Sequence, residues 1–233
     1  MMIINPYRYG GAASSLLTGL VSWWSMDETS GNRADSHGSN TLTDNNTVTY
    51  DTGKISNASQ YTAANSEYLE ITTNPFDFTQ DYTVAGWFYR SATGLGTLVQ
   101  CSSGITANVY FICEMEATTD IKCYWGHPIG DNYTIVASSV SAPTGAWYFV
   151  EVSFIASSKT CRLAVNNSAQ VTAIRPSDPS PSSPQFRFGW WNAGGGNRYL
   201  TGLLDEWGVW SRILTADERN SLWNGGSGIG YPG

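Results

Sequence analysis

Three groups of residues in this chain have types and spacings that could do chemistry. Glu114-Met115-Glu116 sets two carboxylates two positions apart. On a strand, where side chains alternate, both fall on one side, about 6.6 Å apart along the chain. That spacing lies near the separations at which a carboxylic acid and a carboxylate share glycosidic cleavage. The competing reading is a solvated hairpin face. Asp205 lies in Leu203-Leu204-Asp205-Glu206-Trp207-Gly208-Val209 and by alternation shares a face with Leu203, Trp207 and Val209. A carboxylate among such neighbours requires hydrogen-bond donors or a metal. The third group is aromatic: 10 Trp, 13 Tyr and 8 Phe. Indole and phenol rings stack on sugar rings while neighbouring amides and acids bind hydroxyls. Trp125 beside Tyr124, then Tyr133, and the run Trp190-Trp191-Asn192 fall near expected strand ends beside Asn-, Asp- and Gly-rich loops. Trp125, Tyr133, Trp190, Trp191 and Asn192 are therefore the candidate ligand-binding residues, with most other Trp expected in the core.

Other chemistries lack their residues. His37 and His127 stand far apart and outside any metal or triad motif, and no G-x-S-x-G turn occurs. Asn192–Asn197 is glycine-rich but lacks the Lys-Ser/Thr of a phosphate loop, and reads as a hairpin loop. Cys101, Cys113, Cys123 and Cys161 match no zinc spacing and are expected as buried thiols, with Cys113 and Cys123 able to face each other across a hairpin. With 12 Lys+Arg against 19 Asp+Glu, a net charge of −7, the chain offers no basic face for nucleic acid or anionic lipid. No stretch approaches the ~20 apolar residues of a membrane-spanning helix. No export signal is read in the N-terminal residues, where Asn5-Pro6-Tyr7-Arg8-Tyr9 breaks any apolar run.

The elements that must position these residues are strands. In Trp147–Ile155, Tyr148, Val150, Val152 and Phe154 alternate with Phe149, Glu151 and Ser153. Similar runs occupy Leu20–Trp24, Tyr82–Tyr89, Thr97–Gln100, Val109–Met115, Ile121–Trp125, Arg162–Asn166, Phe186–Trp190 and Leu200–Trp210. Turn residues punctuate the gaps, and charged residues make up only 13% of the 233, roughly half the usual share. Many short strands with regular turns predict an all-β, two-sheet antiparallel sandwich of jelly-roll type. One helix is expected, over about 216–224, opened by the capping box Thr215-Ala216-Asp217-Glu218 and stopped by Gly225-Gly226.

Several blocks, in order, resemble the laminin-G-like, concanavalin-A-like lectin/glucanase jelly-roll domains. They are Leu20–Glu28, Asp35-Ser36-His37-Gly38-Ser39-Asn40, Gly53–Ala58 leading to Glu67–Ile71, Tyr82–Tyr89, Trp147–Ser153, Arg162–Asn167, Leu203–Trp207 and Trp210–Glu218. The resemblance spans about residues 20–226, flanked by an extended arm over 1–19 and a Gly-rich tail over 227–233. It implies a structural Ca2+ held by Asp35 and Asp205, with backbone carbonyls completing the shell. Glycosidases of this fold carry Glu-x-Asp-x-x-Glu on a central strand. Here Glu116 takes the place of the aspartate and Asp120 falls outside the spacing, so the resemblance does not supply the catalytic set.

Residues 2–11 loosely resemble the opening of some phage structural proteins, and an extended segment of this kind can add to a neighbour's sheet edge. The resulting expectation is a non-catalytic protein on a virion surface, a capsid decoration or tail accessory assembled in the host cytoplasm. Capsid or tail proteins would be its partners through residues 2–11, with glycans as ligands of its loops and self-association open. Two alternatives stand beside it: a secreted or cell-surface carbohydrate-binding module, and a glycoside hydrolase using Glu114 and Glu116.

Overall fold

A computed structural model describes residues 15–71, 76–102, 109–127, 132–176, 185–192 and 196–233, with the side chains of His127, Asn132 and Tyr133 outside the description. The expected arm over residues 2–11 also lies outside the described residues.

Fifteen strands form among the described residues: β1 (Leu20–Trp24), β2 (Thr43–Asn45), β3 (Thr49–Thr52), β4 (Asn57–Tyr61), β5 (Tyr68–Ile71), β6 (Tyr82–Arg90), β7 (Gly96–Ser102), β8 (Val109–Met115), β9 (Ile121–His127), β10 (Asn132–Ala137), β11 (Trp147–Ile155), β12 (Thr160–Val165), β13 (Val171–Ile174), β14 (Gln185–Phe188) and β15 (Gly202–Trp210). One sheet runs β13-β12-β11-β6-β15-β4-β3, with β1 also on β15; the other runs β10-β9-β8-β7-β14-β5-β2. The pairings within both sheets are antiparallel. The two-sheet sandwich is the one the alternation predicts.

The inner faces meet in one core. Val150, Val152 and Phe154 of β11 face Phe111, Cys113 and Met115 of β8 and Phe186 and Phe188 of β14 across it. All four cysteines are buried and free, and Cys113 stands directly opposite Cys123 between β8 and β9.

A second apolar cluster covers the outer face of the first sheet. Trp23, Trp87, Phe149 and Trp210 meet Leu16, Leu214 and Leu222 there, with Ile229 and Tyr231 packed against them. The helix α1 (Ala216–Trp223) carries the expected capping box, Thr215 accepting from the Glu218 amide and the Glu218 carboxylate accepting from the Thr215 amide. Trp223 stacks on Trp87, ring centroids 5.3 Å apart. The Arg212 guanidinium ties this region together: it donates to the Ser15 and Thr18 carbonyls and to both oxygens of Glu218. Leu16, Ile229 and Tyr231, which flank the expected span 20–226, thus pack on this face of the sheet. The reason is that they have an apolar surface to cover.

β15 contains a bulge. Asp205 pairs with Trp87 and Gly208 with Ala85, so Glu206 and Trp207 together oppose Gly86, and Glu206 takes a left-handed φ of 49°. A Cβ on Gly86 would stand 2.3 Å from the Trp207 ring. Gly86→Ala is therefore expected to cost about 2 kcal/mol through overpacking, a melting temperature lower by roughly 4–8 °C. A calorimetric scan checks this, and an unchanged transition would mean that the Trp207 ring can move freely.

Candidate functional site

The bulge also changes the reading of Asp205. Before it, Leu204 points into the core; after it, Trp207 and Val209 do. The extra residue reverses the alternation, so Asp205 does not share a face with Trp207 and Val209. Its Oδ2 accepts the amides of Lys54 (2.7 Å) and Ile55 (2.9 Å), while Oδ1 is buried without a partner. Burial pushes its carboxyl up to about 7.

Asp35 has a different task. Its Oδ1 accepts the amides of Trp23, His37 and Gly38, and its Oδ2 that of Asn40. Although burial opposes it, these bonds hold the carboxyl below the usual range. Asp35 thus organises the loop after β1, and its oxygens are already engaged. Asp35 and Asp205 therefore do not fit a shared Ca2+ site, and among the described residues no three His, Cys, Asp or Glu are grouped to hold a metal.

The aromatic candidates separate by face. Trp125 has no exposure and lies in the core, its Nε1 donating to the Tyr82 hydroxyl at 2.9 Å. It is not a ligand residue, because it falls on the same side of β9 as Ile121 and Cys123, which line the core. Tyr133 of β10 pairs with Gly126 of β9, and its side chain lies outside the description.

Trp190, Trp191 and Asn192 lie on the outer side of the second sheet, where a transverse row crosses all seven strands. The row runs Thr43–Glu70–Arg187–Gln100–Ile112–Tyr124–Ile135. Residues 190–192 and 197–199 lie side by side over this face, with Asn192 bridged to Asn197 and the Arg198 amide donating to the Trp191 carbonyl. Trp191 is buried against Val109 and Ile112. Trp190 is half-buried in an aromatic shelf with Tyr199, stacked at 5.8 Å, and Tyr68 at 4.9 Å. The Arg187 guanidinium sits 4.5 Å from the Trp190 ring and pairs with Glu70 at 2.9 Å.

Beside the shelf lies a polar patch that the sequence did not disclose. Glu114 is fully buried, not on a solvated hairpin face, and its Oε1 accepts from Arg198. Burial raises its carboxyl above the usual range against the pull of Arg198. Glu116 is partly exposed, accepts the Tyr124 hydroxyl at 2.8 Å and faces Lys122 at 3.5 Å. Around Glu114 are buried polar atoms with no partner: its own Oε2, Thr97 Oγ1, both ends of the Gln100 amide and Trp191 Nε1. Buried polar groups are nearly always paired, and five unpaired ones fall together in this patch.

The comparisons agree with this architecture. A family model described as the concanavalin A-like lectin/glucanases superfamily matches residues 63–218. No curated protein matches the chain at a significant level. Among solved structures, the botulinum neurotoxin serotype D binding domain aligns at 13% identity and TM-score 0.68, covering 90% of this chain and 52% of that one. The binding domain of botulinum neurotoxin DC in complex with SialylT aligns at 8% and 0.65 over the same shares. Trypanosoma rangeli sialidase aligns at 11% and 0.67, over 91% of this chain and 34% of that one. At such identities the likeness shows the fold alone, and the chain spans about half the length of the toxin domains and a third of the sialidase. The family model covers most of the chain and its strands form the matching sandwich, so the protein belongs to the concanavalin A-like lectin/glucanases superfamily as a laminin-G-type jelly roll.

Proposed function

We propose that this chain is a non-catalytic carbohydrate-binding domain that holds a glycan on the outer face of its second sheet, over the shelf of Tyr68, Trp190 and Tyr199. The observation that carries this reading is the joining, on one face, of half-buried aromatic rings with paired ions and unpaired hydrogen-bonding groups. Rings supply apolar stacking area, and the polar groups supply direction. The binding domains among its structural neighbours are consistent with a ligand-binding role, though they lend no ligand to this chain. Hydrolysis by Glu114 and Glu116 is the weaker reading, since Glu114 is committed to Arg198 and Glu116 to Tyr124 and Lys122. Display on a virus particle, with capsid or tail proteins as partners, is the setting we propose. It suits four reduced core cysteines, which ask for no oxidising compartment.

A glycan array probed with the purified chain, with calcium and again with chelator, tests the reading. Binding to a defined glycan class is expected. Trp190→Ala should then weaken that binding at least tenfold, as loss of an aromatic anchor does, when measured below the melting transition of the variant, which is also lowered because the ring packs on Tyr68, Tyr199 and Arg187. Silence across the array, or full binding by Trp190→Ala, would remove the shelf as the site.

A further inference from the structure

Gln100 occupies the middle of the outer face, on β7, the central strand of its sheet. Its neighbours Val99 and Cys101 point into the core, so its amide projects to the other side. The amide is completely buried, and neither its nitrogen nor its oxygen has a partner. A leucine would satisfy this position with no such penalty, because a buried amide without partners costs its full desolvation.

The surroundings define what would satisfy it. Gln100 Nε2 and Trp191 Nε1 are donors, Gln100 Oε1 and Glu114 Oε2 are acceptors, and Thr97 Oγ1 can be either. Against them stands a small apolar wall of Val109, Ile112 and the Trp191 ring. A ligand group for this place needs one donor, one acceptor and a methyl-sized apolar part. A hydroxyl lacks the apolar part, and a carboxylate lacks the donor and would face Glu114. An acetamido group has all three. Its trans amide carries the N–H and the C=O on opposite edges, so two different protein groups must meet it. Here the strands supply Gln100 and Glu114, and the chain segment lying over them supplies Trp191.

We infer that the patch formed by Gln100, Thr97, Glu114 and Trp191 is a recognition site for the acetamido group of an N-acetylated amino sugar. The inference rests on the carbohydrate-binding reading above and names the class of sugar. The acetamido C=O accepts from the Trp191 or Gln100 nitrogen, its N–H donates to Glu114 Oε2 or Gln100 Oε1, and its methyl packs on Val109 and Ile112. Trp191 and Arg198 lie over the patch, the guanidinium 5.2 Å from the ring, so these two side chains must turn aside for the acetamido group to enter.

The test is titration calorimetry with matched oligosaccharides that differ only in carrying acetamido or hydroxyl at the sugar's second carbon, made of N-acetylglucosamine or of glucose. The acetamido form is expected to bind about 10- to 100-fold more tightly, because the hydroxyl form leaves buried groups unpaired. Gln100→Leu should abolish that preference while folding as stably as the wild type or more so. Trp191→Phe keeps the ring packing, removes the N–H and should reduce the preference. If both sugars bind equally, or if Gln100→Leu retains the preference, the acetamido inference falls and the carbohydrate reading stands. If neither sugar binds and a wider glycan array is also silent, both fall.

Discussion

Arg198→Ala is expected to destabilise the domain by about 4 kcal/mol at pH 8, and Glu114→Gln placed on top of it should restore most of that loss. Glu114 has no solvent exposure, whereas the Arg198 side chain is one quarter exposed. Removing the arginine strands a buried carboxylate, a change that typically costs 3–5 kcal/mol. Removing the carboxylate's charge leaves an arginine able to turn toward water, so Glu114→Gln alone should cost about 1 kcal/mol. The effect has a pH signature. Without Arg198, the folded-state pKa of Glu114 rises further above its unfolded value. The penalty is then absent below about pH 4, where Glu114 is protonated in both states, and grows as the unfolded chain ionises first. Urea melts of the three variants at pH 5 and pH 8 should show the Arg198→Ala deficit shrinking at the lower pH. An Arg198→Ala variant as stable as the wild type at pH 8 would mean that Glu114 finds water or another donor, and that the patch is not sealed.

How much of this was legible beforehand followed from how strongly each segment alternates. β8 and β11 run over the bounds that alternation predicts, Val109–Met115 and Trp147–Ile155, because long strands in the middle of the sandwich carry apolar residues at every second position. β2 (Thr-Asp-Asn) and β3 (Thr-Tyr-Asp-Thr) gave no such signal. They are short and solvent-facing at the ends of their sheets, so nothing apolar marks them. The bulge at Glu206 was hidden for another reason. A non-glycine residue with a left-handed φ leaves no compositional trace, yet it reverses the face of Asp205. Trp125 and Trp191 looked alike in sequence, and only the register, which sets Trp125 on the Cys123 side of β9, sends one to the core and the other to the outer face. Gln100 was missed although a signal existed: an uncharged amide stands between the two core residues Val99 and Cys101. The polar patch as a whole was not readable, because Thr97, Gln100, Glu114 and Trp191 come from β7, β8 and the segment after β14 and meet only through sheet pairing.

The second large effect is expected at the other sheet, where stability should decline as pH rises from about 4 to 8. Asp205 and Glu206 are adjacent, both are buried, and Asp27 adds a third negative charge nearby. Burial pushes Asp205 up to about 7; burial and then the charge of Asp205 push Glu206 up to about 8. Both values lie above those of an unfolded chain, about 3.9 and 4.3. Below pH 4 both groups are protonated in both states and cost nothing. Above it the unfolded chain loses its protons first, and the native state grows less favourable until the folded groups ionise too, a change of several kcal/mol across the window. Glu218 works in the opposite sense but elsewhere. Burial opposes its ionisation, yet Arg212 and the Thr215 amide hold it down to about 2, so its contribution is lost only as pH falls below about 4.5 and does not mask the window. Asp205→Asn keeps an oxygen for the Lys54 and Ile55 amides and removes a charge, so its melting temperature should exceed that of the wild type at pH 8, with the gap narrowing toward pH 4. Glu206→Gln should behave similarly while keeping the bond from the Trp23 indole, now 2.6 Å long. Parallel curves for wild type and variants would show that these carboxyls ionise without cost. A bound cation would allow this, and it would be exposed by a chelator lowering the wild-type transition at pH 8 but not that of Asp205→Asn. With Asp35 already occupied by four backbone amides, the expected result is that chelator changes neither.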